Sequence, residues 1–349
     1  MSNSDALEPW RIAATSFPGH DAPPEARLRF MIGYAILAPS GHNAQPWLFR
    51  IAGDHLELLA DRTRALPVVD PHDRALTIAC GSALFNLRVA ARHFGYQVGV
   101  ELLPDPARHD LLARVALGER KTSNHAENTL FVAIPNRRTS RVPFERTTVD
   151  KKVIERLEAG AAAEGAWFRV VKERHDRHTV ADLIADGDRM QFADKRFRRE
   201  LASWLHSNRS HTHDGMPGYA LGHGDLVSMI EPLVIRTFDV GKGVGAKDRD
   251  LAEHSPVLAV ISTSGDGPAD WLRAGQALEH VLLEATAAGL TASFLNQPIE
   301  VETLRPRLAK LVERAGDASL GFPQVLLRMG RAPEVKPMPR RAVSEVVRN

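Results

Sequence analysis

The sequence predicts an α+β chain made of two related halves. Three observations carry this. Helix-like and strand-like runs alternate along the chain. A helical segment recurs at a distance, and a fainter echo of helix, loop and strand lies upstream of each copy. In the recurring segment, Gly81 to Gly95 aligns without gaps on Gly275 to Gly289. Glycine, alanine, leucine, alanine and glycine coincide at 81/275, 83/277, 84/278, 91/285 and 95/289. In the first copy Leu84, Leu87, Ala91 and Phe94 fall on one helical face. Both copies end at a glycine suited to a left-handed cap, and a strand-like run follows each, at 97–102 and 291–295.

The upstream echo pairs a helix at 27–38 and a strand at 47–51 with a helix at 153–163 and a strand at 167–171. Ala52-Gly53-Asp54 reads as a hairpin turn. Leu130 to Ile134 and Val257 to Ile261 read as short buried strands. Ala22 to Pro24 and Pro333 to Pro339 read as extended arms. A stretch rich in Gly, Pro and His, about 190–245, reads as a long inserted loop of the kind that forms lids. Gly241 to Gly245 falls in it and reads as loop, because the Lys-Ser/Thr of a phosphate loop does not follow.

Composition narrows the class. The 349 residues carry 45 Lys+Arg against 43 Asp+Glu, with 44% hydrophobic and 25% charged residues. These are averages of soluble globular chains, not of disordered or fibrous ones. The balance leaves no electrostatic footprint for nucleic acid. No apolar run approaches the ~18 residues of a membrane span. Met1 to Trp10 lacks a signal-peptide pattern, so the expected location is the cytoplasm. One cysteine, Cys80, excludes a disulfide framework and reads as core packing at the start of an apolar helix. His211 and His213 find no partner at metal-ligand spacing, and no metal is expected. The Gly-x-Ser-x-Gly elbow of hydrolases is absent.

Two segments can carry chemistry. Ala38 to Trp47 sits between helix and strand. Pro39, Gly41 and Pro46 restrict its backbone, while Ser40, Asn43 and Gln45 offer donors and acceptors. It suits either the edge of a planar heterocycle or a well-made turn. Arg137-Arg138-Thr139-Ser140-Arg141 presents forked donors and hydroxyls, suited to a mononucleotide phosphate or to a solvated basic turn. The strand at 325–330 reads as core, with Arg331 beyond it.

Together these segments resemble the FMN-dependent nitroreductase family, over most of residues 27–333. The pattern Ala-Pro-Ser-x-x-Asn-x-Gln-Pro-Trp stands at Ala38 to Trp47, with Gly41 where many members have serine. The Arg-Arg-Ser/Thr-x-Arg motif stands at Arg137 to Arg141, in mid-chain rather than at the N-terminus. The likeness is closest to the fused two-half, Acg-type subgroup, including Asp214 to Pro217 and Ala220 to Gly222 of the insertion. The resemblance implies a nitroreductase-like α-β-α sandwich, with two halves fused as an intertwined pseudodimer. Residues 1–130 would supply the loop. Residues 131–349 would supply the arginines and the lid.

One FMN per chain is implied. The second half lacks the loop at 161–167, and the first half lacks a double arginine before its first helix. Arg137, Arg138 and Thr139 match phosphate and ribityl positions. Arg141 matches a cation at the pyrimidine edge. Pro39, Ser40 and Asn43 match contacts from the other half. Leu295 and Asn296 match backbone contacts near the hydride-accepting nitrogen, and Arg331 is a further phosphate candidate. The implied activity is reduction of nitroaromatic, quinone or similar small molecules by NADH or NADPH in a ping-pong cycle. The alternative is a flavin-storing protein with a closed lid. The chain is expected as a monomeric pseudodimer or a further homodimer, without nucleic-acid or membrane partners.

Overall fold

The computed structural model describes residues 5–314 and 321–348, so the first four residues of the Met1 to Trp10 stretch lie outside it. Helix α1 (Pro24–Ala35) begins on a proline, whose fixed φ suits the first helical position. A loop leads to the hairpin of β1 (Trp47–Ala52) and β2 (His55–Ala60), which turns at Gly53 with φ +65°. Helix α2 (Arg74–His93) precedes β3 (Tyr96–Leu102) and β4 (Leu111–Arg120).

Next comes α3 (His125–Ala133), where the residue pattern reads as a strand. Its capping box, Asn124 with Glu127, starts a helix. The apolar run is then one helical face, with Leu130, Phe131, Ala133 and Ile134 buried and Val132 61% exposed.

The chain continues through α4 (Lys151–Ala163), β5 (Trp167–Val170), α5 (Arg174–Ala193) and α6 (Lys195–Ser203). The short strands β6 (Leu205–His206) and β7 (Met216–Pro217) bracket an irregular segment, followed by α7 (Asp225–Thr237) and α8 (Gly241–His254). The insertion is therefore mostly helical, which corrects the long-loop reading. Gly241 to Gly245 opens a helix because α8 lies close against α5. A Cβ on Gly241 would stand 2.8 Å from the Phe192 Cβ, and one on Gly245 3.0 Å from the Ala185 carbonyl oxygen. Then follow β8 (Val257–Thr263), α9 (Pro268–Ala287), β9 (Thr291–Phe294), α10 (Gln297–Glu300), α11 (Arg305–Arg314), β10 (Phe322–Gly330), α12 (Val343–Val346) and β11 (Val347–Arg348).

Two main sheets result, the first mixed through the parallel β11–β1 pair and the second antiparallel throughout. One sheet has the order β11-β1-β2-β4-β3, the other β5-β8-β10-β9. Between them α2 and α9, the two copies of the repeat, cross at their shared glycines. The Ser82 hydroxyl donates to the Gly275 carbonyl at 2.9 Å. Both helices end at left-handed glycines, Gly95 and Gly289. Cys80 lies within α2, not at its start, buried with its thiol on the Pro46 carbonyl.

The halves are intertwined. The core around β1 and β2 takes Leu272 and Leu283 from α9 and Val346 from α12. The core around β8 and β10 takes Ile78 from α2. Strand β11 adds to β1 in parallel, with Val347 beside Phe49. No helix among the described residues is long and apolar enough to cross a membrane.

Candidate functional site

The loop between α1 and β1 is held in a costly conformation. His42, Asn43 and Gln45 all have positive φ, at 48°, 56° and 55°. Non-glycine residues there cost about 1 kcal/mol or more each and persist only when their surroundings dictate it. Several contacts do so. The Gln45 N–H donates to Ser40 Oγ at 2.9 Å, and Asn43 N–H to the Ser40 carbonyl at 3.1 Å. Asn43 Nδ2 donates to the carbonyls of Gly215 and Pro339, both at 3.0 Å. Gln45 Nε2 donates to the His213 carbonyl at 2.7 Å, while its Oε1 accepts from Arg341 N–H at 2.8 Å. The loop's amides thus grip the lid and the C-terminal arm. Pro39 is buried beneath them.

The arginine segment runs beside β9. Thr139 bridges Ala292 in parallel, and Ser140 N–H donates to the Ala292 carbonyl at 3.0 Å. Arg328, buried on β10, holds the segment by donating to the Val142 and Ser140 carbonyls at 3.1 and 3.4 Å. Arg137 is buried, donates to the Leu37 carbonyl at 2.9 Å and faces Glu279 at 3.4 Å. Arg138 stacks over Trp10, 4.5 Å from the ring centre.

A residue not anticipated from the sequence joins them. Arg340, from the proline-rich arm, covers the same Trp10 ring at 4.7 Å. It donates to Asn43 Oδ1 at 2.6 Å and to the Leu37 and Ala38 carbonyls at 3.3 and 3.1 Å. Trp10 Nε1 in turn donates to Met338 in the arm at 2.7 Å. Three guanidinium groups therefore gather here, Arg137 and Arg340 acting on the buried Glu279 carboxylate while Arg138 feels Glu334.

The electrostatics register the excess. Burial and the neighbouring Arg137 bring Arg138 down to about 10, and the same two causes lower Arg340 well below its usual value. Burial raises Glu279 to about 7, against the pull of Arg137. The Nε atoms of Arg138 and Arg340 are buried without a hydrogen-bond partner. An unpartnered buried donor costs about 1–3 kcal/mol.

Arg141 points elsewhere, toward the lid, and reaches the Ala220 carbonyl at 3.3 Å and the Met216 sulfur at 3.7 Å. His42 lies beside it, with Nε2 buried and unpartnered. Leu295 N–H is taken by the Leu326 carbonyl and Asn296 Oδ1 by Leu326 N–H. The Asn296 carbonyl is taken by Ile299 and Glu300 N–H, and its side-chain Nδ2 takes no part in these bonds. Arg331 is exposed, with its guanidinium near Gly289 rather than in the Trp10 stack. The lid is fastened by an Arg64–Asp214 pair, by His213 on Glu345 at 2.7 Å and by the Tyr219 hydroxyl on the Pro337 carbonyl at 2.9 Å.

Burial, reinforced by Arg141, lowers the His42 imidazole to about 4. The free imidazole titrates near 6.5, so as pH falls the unfolded chain takes the proton first. This contribution to stability is complete above about pH 6.5 and is lost on acidification through about 4. Its size is at most about 3 kcal/mol. Denaturant unfolding at stepped pH should show wild type losing more than His42→Gln across that window. Parallel losses would refute the assignment.

No family profile matches the chain. A Mycobacterium tuberculosis protein named NAD(P)H nitroreductase Rv3131 is 33% identical over 331 residues, 93% of this chain and 92% of its own. The NAD(P)H nitroreductase acg of the same organism is 30% identical over 327 residues, 91% and 94% of the two chains. The solved FMN-dependent nitroreductase NfnB of Mycobacterium smegmatis, in complex with NADPH, superposes with a TM-score of 0.38 at 16% identity, covering 64% of this chain and 98% of that one. Its relatives define a nitroreductase-type class of protein. The chain belongs to the NAD(P)H nitroreductase family.

Proposed function

We propose that the chain binds one FMN between its two halves, 1–130 and 131–349, and uses NADH or NADPH to reduce small acceptors such as nitroaromatics or quinones in a ping-pong cycle. The observation that carries this reading is the meeting of Arg137, Arg138 and Arg340, with unsatisfied buried donors, beside the strained Pro39 to Asn43 loop. The residues present fit the cofactor. The arginine cluster offers its donors to a phosphate, with Thr139 toward the ribityl chain and Arg331 at the margin. Ser40, Asn43, Leu295 and Asn296 border the ring position.

Bound FMN would supply the hydride chemistry of both half-reactions. Arg141, half-buried beneath the lid, would supply a fixed positive charge to the bound ring, which favours its reduced form. The lid segment at 213–220 excludes water above Arg141.

One observation favours a second reading, flavin storage: the lid is fastened to the loop, to Arg64 and to the arm at once. A single experiment separates the two. NADPH or NADH, added anaerobically to the yellow protein, is expected to bleach the flavin absorbance, and a quinone to restore it. Absence of bleaching with either nucleotide would overturn the reductase reading and leave storage.

A further inference from the structure

The insertion carries a helix face with nothing upon it. On α7, Leu226, Met229, Ile230 and Leu233 lie three and four residues apart on one face, and Phe238 lies just beyond the helix. These five side chains are 57% to 81% exposed. The opposite side holds the helix down through Ser228, which is buried with its hydroxyl on the Asp225 carbonyl and accepts from Asn208 N–H. The outward stripe is thus the more apolar face, the reverse of an ordinary surface helix. Side chains of this size add up to at least the largest patch of a typical monomer, about 300–600 Å².

The charges on the stripe identify its occupant. Asp225 and Arg236 are separated by about three helical turns at 3.6 residues per turn, so they share one flank of the stripe. Asp225 accepts from Asn208 Nδ2 on one oxygen at 3.0 Å and meets Arg209 on the other at 3.7 Å, with its side chain still about half exposed, and Arg236 is exposed. A two-fold axis through the middle of α7, near Ile230, turns the stripe onto itself. Asp225 of each copy then lies opposite Arg236 of the other. We propose that α7 is a self-docking face, on which a second copy of this chain seats antiparallel to form a closed dimer.

An isologous contact of this kind closes at two copies. The patch falls short of the ~800 Å² per partner of a standard interface, so the association is reversible. A lipid surface fits less well. Adsorbed helices carry Lys and Arg on the polar face, whereas here Asp225, Glu231 and Asp239 accompany the single Arg236.

Sedimentation velocity of the full chain over a wide concentration range tests this. The expected result is reversible conversion of the 38.4 kDa monomer to a species of twice that mass. Ile230→Asp combined with Leu233→Asp should be monomeric throughout, with an unchanged melting temperature. Asp225→Lys alone and Arg236→Glu alone should each dimerise about tenfold more weakly. Their equimolar mixture should recover wild-type association, because each heterodimer restores both opposite-charge pairs. A wild type that stays monomeric, a dimer that survives the double aspartate variant, or α7-dependent sedimentation with phosphatidylserine vesicles instead of dimerisation would overturn the proposal.

Discussion

Gly275→Ala is expected to destabilise the protein by about 4 kcal/mol or more, beyond ordinary overpacking of about 1–3 kcal/mol. The added Cβ would stand 2.0 Å from the Ile78 carbonyl oxygen and 2.8 Å from Gly81 Cα. Both are backbone atoms, so no side-chain rotation relieves the clash. Helices α2 and α9 must separate, and the Ser82–Gly275 hydrogen bond goes with them. Two cores suffer together, since each includes side chains from the other half's helix. Gly243→Ala is the control. It lies in α8 with nothing within 4 Å of its would-be Cβ, and should be neutral or stabilising by up to about 1 kcal/mol. Urea unfolding of the three proteins measures both. A Gly275→Ala midpoint equal to wild type would refute the account of the crossing.

The second large effect concerns the arginine cluster, and rests on the FMN reading. Each charge-assisted contact is worth about 2 kcal/mol. Arg138→Ala should therefore weaken FMN about thirtyfold, and Arg138→Ala with Arg340→Ala about a thousandfold. Riboflavin, lacking the phosphate, should change little. Equilibrium dialysis with both flavins supplies the readout, and a melt of each variant without flavin checks folding. An equal loss for the two flavins would remove the phosphate from this cluster.

Much of this arrangement was legible in the residues. The glycine repeat marked the helix crossing because only glycine permits backbone contact, and that requirement shows in one dimension. The short apolar runs located β1, β5, β8 and β10 because strand burial shows in neighbouring residues. Leu130 to Ile134 misled because five apolar residues fit a strand or a helical face, and the capping box that decides lies upstream. Gly241 to Gly245 misled because close packing of α8 on α5 calls for the same residue as a loop. Among the candidate site residues, Arg137, Arg138 and Asn43 could be picked out as motif members, whereas Arg340 could not. Its place depends on an irregular arm that returns across the molecule to Trp10. One local sign of the cluster was available: Glu279 stands in the repeat where the first copy has Phe85, a charge on an otherwise apolar face.

The intertwining has a consequence for synthesis on the ribosome. Strand β1 is complete early, yet its parallel neighbour β11 and the buried Val346 emerge only after the second half, β10 included. Leu272 and Leu283 also arrive long after the core they fill. The first half must therefore wait, with an open sheet edge and uncovered apolar surface, while the second is translated. Chains with such distant pairings fold slowly and are prone to aggregate meanwhile. The yield of this protein in a host cell should thus depend on translation speed and holdase chaperones more than on the stability of the finished fold.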